Sequence, residues 1–191
     1  MNKESPETYT REKIIWMVTV PQLAILLISI LWIYFTPHDN VAKYFHFGFR
    51  PVLFGVLTGI LLSGFGYGFY WFSKKTKMFY ETVELFEVLM APAFKNLKPP
   101  DMVLLSLVSG FCEEIFFRGL LLPRFGIIIS STAFGLLHLP GFKFWIYMLW
   151  ATLSGALFGV LFLITKSLWL PICAHAVNNM IGMFLLTRLK R

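Results

Sequence analysis

Charge is what this sequence has least of. Only 14% of its 191 residues are charged and 57% are hydrophobic, whereas a soluble domain carries roughly a quarter charged residues. A soluble single-core protein is excluded on that ground. Two runs, 14–35 and 51–72, contain no charged residue at all, and each is long enough to cross a hydrocarbon core of about 30 Å as a helix. Cysteine is equally scarce. The two present, Cys112 and Cys173, form neither a CxxC pair nor a disulfide framework. The first apolar run is too long for a removable signal peptide and has no small-residue cleavage site. There is no HExxH metal motif, no internal repeat and no low-complexity tract.

The fold class that follows is an all-α membrane protein: a bundle of about six transmembrane helices plus an interfacial amphipathic helix. Spans are expected at about 14–35, 51–72, 102–122, 126–138, 144–164 and 168–187. The formal charge of +7 invites a nucleic-acid reading, but no basic face with interleaved aromatics is present, so nucleic acid is not an expected partner. Topology distributes the charge instead. With the N-terminus in the cytoplasm, twelve basic residues fall on the inner side and five on the outer, counting Arg118 with the outer set; these are the 17 of the chain. The bias follows the positive-inside rule and puts both termini in the cytoplasm of a cell (inner or plasma) membrane, with the lipid bilayer as the first partner.

One integral-membrane domain covers 1–191, with a cytoplasmic tail over 1–13. Pro21 lies in the first span and bends the helix if that helix begins much before it. The second span carries two GxxxG spacings, Gly55/Gly59 and Gly64/Gly68, and the fifth repeats the pattern at Gly155/Gly159. Such spacings let helix backbones approach closely in lipid. Over 73–100, Phe79, Val83, Phe86 and Met90 recur at helical spacing among Glu81, Glu84 and Glu87, which reads as an amphipathic interfacial helix flanked by lysines. Pro99-Pro100 ends it, and Asp101 is the expected N-cap of a core over 101–187.

Polar side chains that do not belong in lipid fall into three clusters. Each intramembrane ionisable group costs at least ~2.5–3.5 kcal/mol on insertion scales, which makes it a functional candidate by default. In "CEEIFFRG", Glu114 and Arg118 are four residues apart and share a helix face, so they can pair. Glu113 is turned about 100° away and has no local partner. In "AFGLLHLPG", His138 follows Phe134 by four; in "AHAVNN", Asn179 follows His175 by four. At 1.5 Å per residue, Glu113, His138 and His175 can reach one layer near mid-membrane, and such a layer requires a polar pocket. A carboxylate and a histidine can activate water, while an amide and a second imidazole can donate to an oxyanion: a peptide-hydrolysis set without a serine or cysteine nucleophile. A zinc site built on two histidines and a carboxylate is the competing design, although a glutamate paired with arginine is a poor ligand. Cys112 as nucleophile is weaker, since no histidine is paired with it locally.

In this order, Glu113-Glu114…Arg118, Phe134…His138 and His175…Asn179 resemble the EExxxR, FxxxH and HxxxN motifs of the CAAX protease and bacteriocin-processing (CPBP, or Abi) family, over about residues 100–182. The loop "FHFGFRP" is similar to the segment that often precedes that family's core. The resemblance implies a glutamate-type intramembrane endopeptidase without cofactor or metal, acting on a peptide or membrane-anchored protein substrate. Glu113 and His138 would activate water, and His175 and Asn179 would form the oxyanion site. Glu114 and Arg118 would support the motif helix. The chain is shorter than the eukaryotic prenyl-protein processing members, which implies a small prokaryotic one. A non-catalytic immunity factor or membrane chaperone of the same fold is the rival class. A transporter is disfavoured because no paired broken helices occur in corresponding halves.

Overall fold

The computed structural model describes residues 9–36 and 40–189, and among them the secondary structure is entirely helical. Helix α1 spans Arg11–Phe35 and α2 Phe49–Thr76. A short helical stretch follows: α3 at Tyr80–Glu84, a π-helical segment at Leu85–Met90 and α4 at Ala91–Phe94. Helix α5, Pro99–Glu114, continues through a second π-helical segment, Ile115–Leu121, into α6 at Leu122–Leu137. Helices α7, Trp145–Thr165, and α8, Trp169–Arg188, complete the bundle.

Five stretches are long and apolar enough to span a membrane among the described residues; the longest, Pro99–Leu137, has 39 residues. That length would far overrun a bilayer as one rod, and it is not one rod. Gly126 breaks it with φ 81° and ψ 173°, a conformation open to glycine and forbidden to residues with a Cβ. Beyond it the chain folds back. Ser130 Oγ donates to the Phe117 carbonyl at 2.8 Å, and the Phe117 and Phe134 rings meet edge to face at 5.1 Å. The two expected spans at 102–122 and 126–138 are therefore the limbs of a hairpin. The returning limb has about 12 residues and reaches only ~18 Å, close to mid-bilayer. His138 stands at its tip, where the helix stops before Leu139-Pro140.

Glycine sets the helix contacts. A Cβ at Gly55 would lie 2.5 Å from the Leu170 carbonyl oxygen, and one at Gly59 2.6 Å from that of Ala174, so α2 packs backbone to backbone on α8. Gly155 faces Phe134 and Arg118, and Gly159 faces Leu122 and Ile127. The Gly64/Gly68 spacing differs: a Cβ at either position would meet no described atom within 4 Å, so this pair makes no such close contact.

The two ends of the bundle are closed differently. At one end the short 3₁₀ turn Val41–Tyr44 tucks against Gly119. Tyr44 O accepts from Leu168 N at 2.9 Å, and Phe45 O from Trp169 Nε1 at 3.2 Å. At the other end the starts of α1 and α5 are tied by Arg11, whose Nε donates to Asp101 Oδ2 at 2.7 Å. There the α3–α4 stretch buries Val83, Leu85 and Ala91. Its acidic side is held by Lys74 Nζ to Glu87 Oε1 at 2.6 Å and Lys143 Nζ to Glu84 Oε2 at 2.6 Å. The hydrogen bonds from Lys74 and Tyr70 keep the Glu87 carboxyl below its usual range.

Two local expectations are corrected. Arg11, Glu12 and Lys13, the last three residues of the expected tail, already form the first turn of α1; residues 1–8 of that tail lie outside the described residues. Pro21 lies well inside α1, which begins at Arg11. Asp101 is not the N-cap of α5. Pro99 and Pro100 open that helix, where proline's missing N–H costs nothing, so the cap falls on Lys98 and the Asp101 carboxylate accepts from the Lys98 backbone N–H at 2.8 Å.

Candidate active site

The sixteen residues of α5 end on two consecutive carboxylates, and helical rotation sends them to different surroundings. Glu114 is wholly buried. Its Oε1 accepts from Arg118 Nη1 at 2.9 Å, the four-residue pairing anticipated from spacing, and lies 2.8 Å from His175 Nδ1 of α8. Arg118 is itself buried. Its Nη2 donates to the Gly155 carbonyl at 3.0 Å, an approach open because residue 155 has no side chain. The guanidinium lies over the Phe134 ring at 4.5 Å, with Phe158 and Phe117 nearby. A buried charge needs its donors and lone pairs matched, and this one is matched by a carboxylate, a carbonyl and three aromatic faces.

Glu113 faces a cavity of about 390 Å³. Its Oε1 accepts from Gln22 Nε2 of α1 at 2.7 Å. Its Oε2 has no hydrogen-bond partner among the described residues and lies 3.8 Å from His138 Nε2. His138 Nδ1 is 2.8 Å from the Phe134 carbonyl, an oxygen that only accepts, so Nδ1 carries a proton and the ring in its neutral form presents the Nε2 lone pair to Glu113. Two acceptors thus face each other. A water donating one hydrogen to each satisfies both, and such a water is polarised toward hydroxide.

His175 and Asn179 line the same cavity from α8. Glu114 takes the Nδ1 side of His175, leaving Nε2 as its free polar atom; the ring stacks on Phe158 at 5.7 Å. Asn179 Nδ2 donates one hydrogen to Ser109 Oγ at 2.9 Å, and a primary amide has a second to give. Asn178, turned toward α2, lies 3.2 Å from Ser63 Oγ and also borders the cavity. The remaining wall is aromatic and aliphatic, with Tyr67, Phe86, Trp150 and Phe158 prominent.

Glu113, His138, His175 and Asn179 are therefore gathered around one cavity, and Glu114 and Arg118 sit behind it. Cys112 is buried and Cys173 half-buried, and both are free thiols. Among the described residues no three His, Cys, Asp or Glu side chains form a metal-binding group. Two participants escaped the sequence reading. Gln22 was signalled as the one amide in the otherwise charge-free first span. Ser109 gave no signal, since a serine in a membrane helix is ordinary.

Residues 95–181 match the family model described as Rce1-like, type II CAAX prenyl endopeptidase. This bears out the resemblance carried by the three motifs and supports hydrolase chemistry of the CAAX-protease kind within the membrane. The uncharacterized protein YpbD of Bacillus subtilis (strain 168) is 30% identical over 84 residues, which are 44% of this chain and 44% of YpbD. The chain thus spans under half the length of that relative in the match. No solved structure matches.

Proposed function

We propose that this chain is a glutamate-type intramembrane endopeptidase. The observation that carries the reading is the Glu113–His138 pair: two acceptors 3.8 Å apart at the polar end of a largely apolar cavity. A water held between them attacks the scissile carbonyl as its proton passes to Glu113. The same proton then goes to the leaving amine when the carbon–nitrogen bond breaks. The free N–H of Asn179 donates to the oxyanion, and Nε2 of His175 does so whenever that ring carries a proton on both nitrogens. Glu114 orients His175, and Arg118 holds Glu114; neither touches the substrate.

The apolar part of the cavity suits an extended hydrophobic segment, so the substrate is a peptide or a membrane-anchored protein. The candidate classes are leader peptides, C-terminal sorting helices and membrane-anchored regulators, with a prenylated CAAX tail as the alternative suggested by the matching family. The unit acting on it is the core over 101–187, with α1 and α2 packed around it. Its setting is the cell membrane. Both termini face the cytoplasm, because the basic residues gather at the end where α1 begins and α8 finishes.

The test is mass-spectrometric mapping of new peptide termini in membranes and medium of cells expressing the wild type, Glu113→Ala or His138→Ala. Termini present only with the wild type support the reading. An identical set with Glu113→Ala, at equal protein level, overturns the glutamate mechanism.

A further inference from the structure

Helix α1 lies outside the segment matched by the family, yet it supplies a contact to the proposed general base. Gln22 is nine-tenths buried and donates through Nε2 to Glu113 Oε1 at 2.7 Å. Glu113 as a carboxylate can only accept, which fixes the amide's orientation. In that orientation Gln22 Oε1 is buried without a partner among the described residues. The amide therefore gives up one of its own hydrogen bonds to make this one. A side chain there only for packing would be better as leucine or methionine, since nothing else in the first span requires an amide. The contact is also positional. A carboxylate on a three-bond side chain can turn either oxygen toward His138, and a donor on Oε1 leaves Oε2 as the one that faces Nε2.

We infer that Gln22 is a positioning residue: its amide pins Oε1 of Glu113 so that Oε2 and His138 Nε2 jointly hold the reactive water. The inference rests on the protease reading above and extends it to a residue contributed by α1. Because one donor on one oxygen is at issue, it predicts a change in the geometry of Glu113 and in turnover, with no change in how the substrate is bound.

The experiment uses the purified full chain in detergent, with Gln22→Met as the apolar, length-conserving variant and Gln22→Asn as one that keeps an amide but falls short of Glu113. The infrared carboxylate band of Glu113 is isolated as the difference between each protein and its Glu113→Gln counterpart. Turnover is measured on an internally quenched peptide spanning a site that terminus mapping finds cut only with the wild type. The expected result is a shifted Glu113 band in both variants. The expected kinetics are a fall in kcat of about tenfold to a hundredfold, the scale on which small misplacements act, with KM within about twofold. A purely structural role would lower the melting temperature and leave the band of the folded fraction in place.

An unmoved band in either folded variant overturns the pairing. A moved band with unchanged kcat overturns the positioning role. If the wild type and Glu113→Ala process the peptide alike, the protease reading fails and the kinetic role of Gln22 fails with it, while the band still decides whether Gln22 holds Glu113.

Discussion

His175 and Arg118 approach the same oxygen: Nδ1 of the first lies 2.8 Å from Glu114 Oε1, and Nη1 of the second 2.9 Å from it. One fully buried carboxylate thus links the fold-holding arginine to the cavity-lining histidine. A substitution at Arg118 reaches the site through a single intermediary.

Removing one member of this buried pair should cost more than removing both. Arg118→Met leaves Glu114 charged in an apolar setting, for which a loss of about 3–5 kcal/mol is expected. The double variant Arg118→Met/Glu114→Gln should recover part of that loss. Unfolding in mixed micelles, followed by tryptophan fluorescence, checks the order; a double variant weaker than Arg118→Met contradicts it.

Ser109→Ala should act on catalysis alone. It removes the acceptor that holds the Asn179 amide and leaves Asn179 present, so kcat should fall several-fold at constant KM. Asn179→Leu removes the proposed oxyanion donor itself and should cost about 10²–10³ in kcat. Steady-state kinetics on one cleaved peptide compares the two, and equal losses would mean that Ser109 does more than orient the amide.

The glycines of α2 should divide sharply. Gly55→Ala forces a methyl against the Leu170 carbonyl and should destabilise by about 1–3 kcal/mol. Gly64→Ala meets no described atom within 4 Å and should stay within about ±0.5 kcal/mol. Melting temperatures in one detergent suffice to rank them.

The Lys74–Glu87 contact should respond to acid. The folded-state pKa of Glu87 is depressed, so its contribution is fully present above the ordinary unfolded carboxylate value of about 4.3 and is lost as pH falls through the lower folded value. The difference in melting temperature between wild type and Glu87→Gln should therefore be constant near neutrality and close on acidification. A difference that widens in acid would contradict the sign.

Spacing along single helices made much of this legible from residues alone. Glu114 and Arg118 pair because four residues are about one turn, and the same arithmetic separates Glu113 from Glu114. The depth estimate brought His138 and His175 to the level of Glu113, because rise per residue does not depend on packing. What stayed hidden depends on relations between helices. The bond from Gln22 to Glu113 joins positions 91 residues apart, and no local pattern encodes it. The His175–Glu114 contact likewise needs the α5–α8 packing. Asp101 was misassigned for a local reason: two prolines can open a helix as readily as they end one.

The π-helical segment Ile115–Leu121 begins immediately after the paired glutamates, and the Leu122 N–H reaches back five residues to the Phe117 carbonyl. That wider turn sets the phase between the glutamates upstream and the reversal at Gly126 downstream. Tightening that turn to ordinary α geometry at unchanged length would swing the returning limb by about 100° relative to Glu113. His138 would then leave the cavity with every motif residue still spelled correctly. The winding of this one turn is thus part of the motif's grammar, and a motif search that ignores it would accept chains whose letters agree but whose helices are out of step.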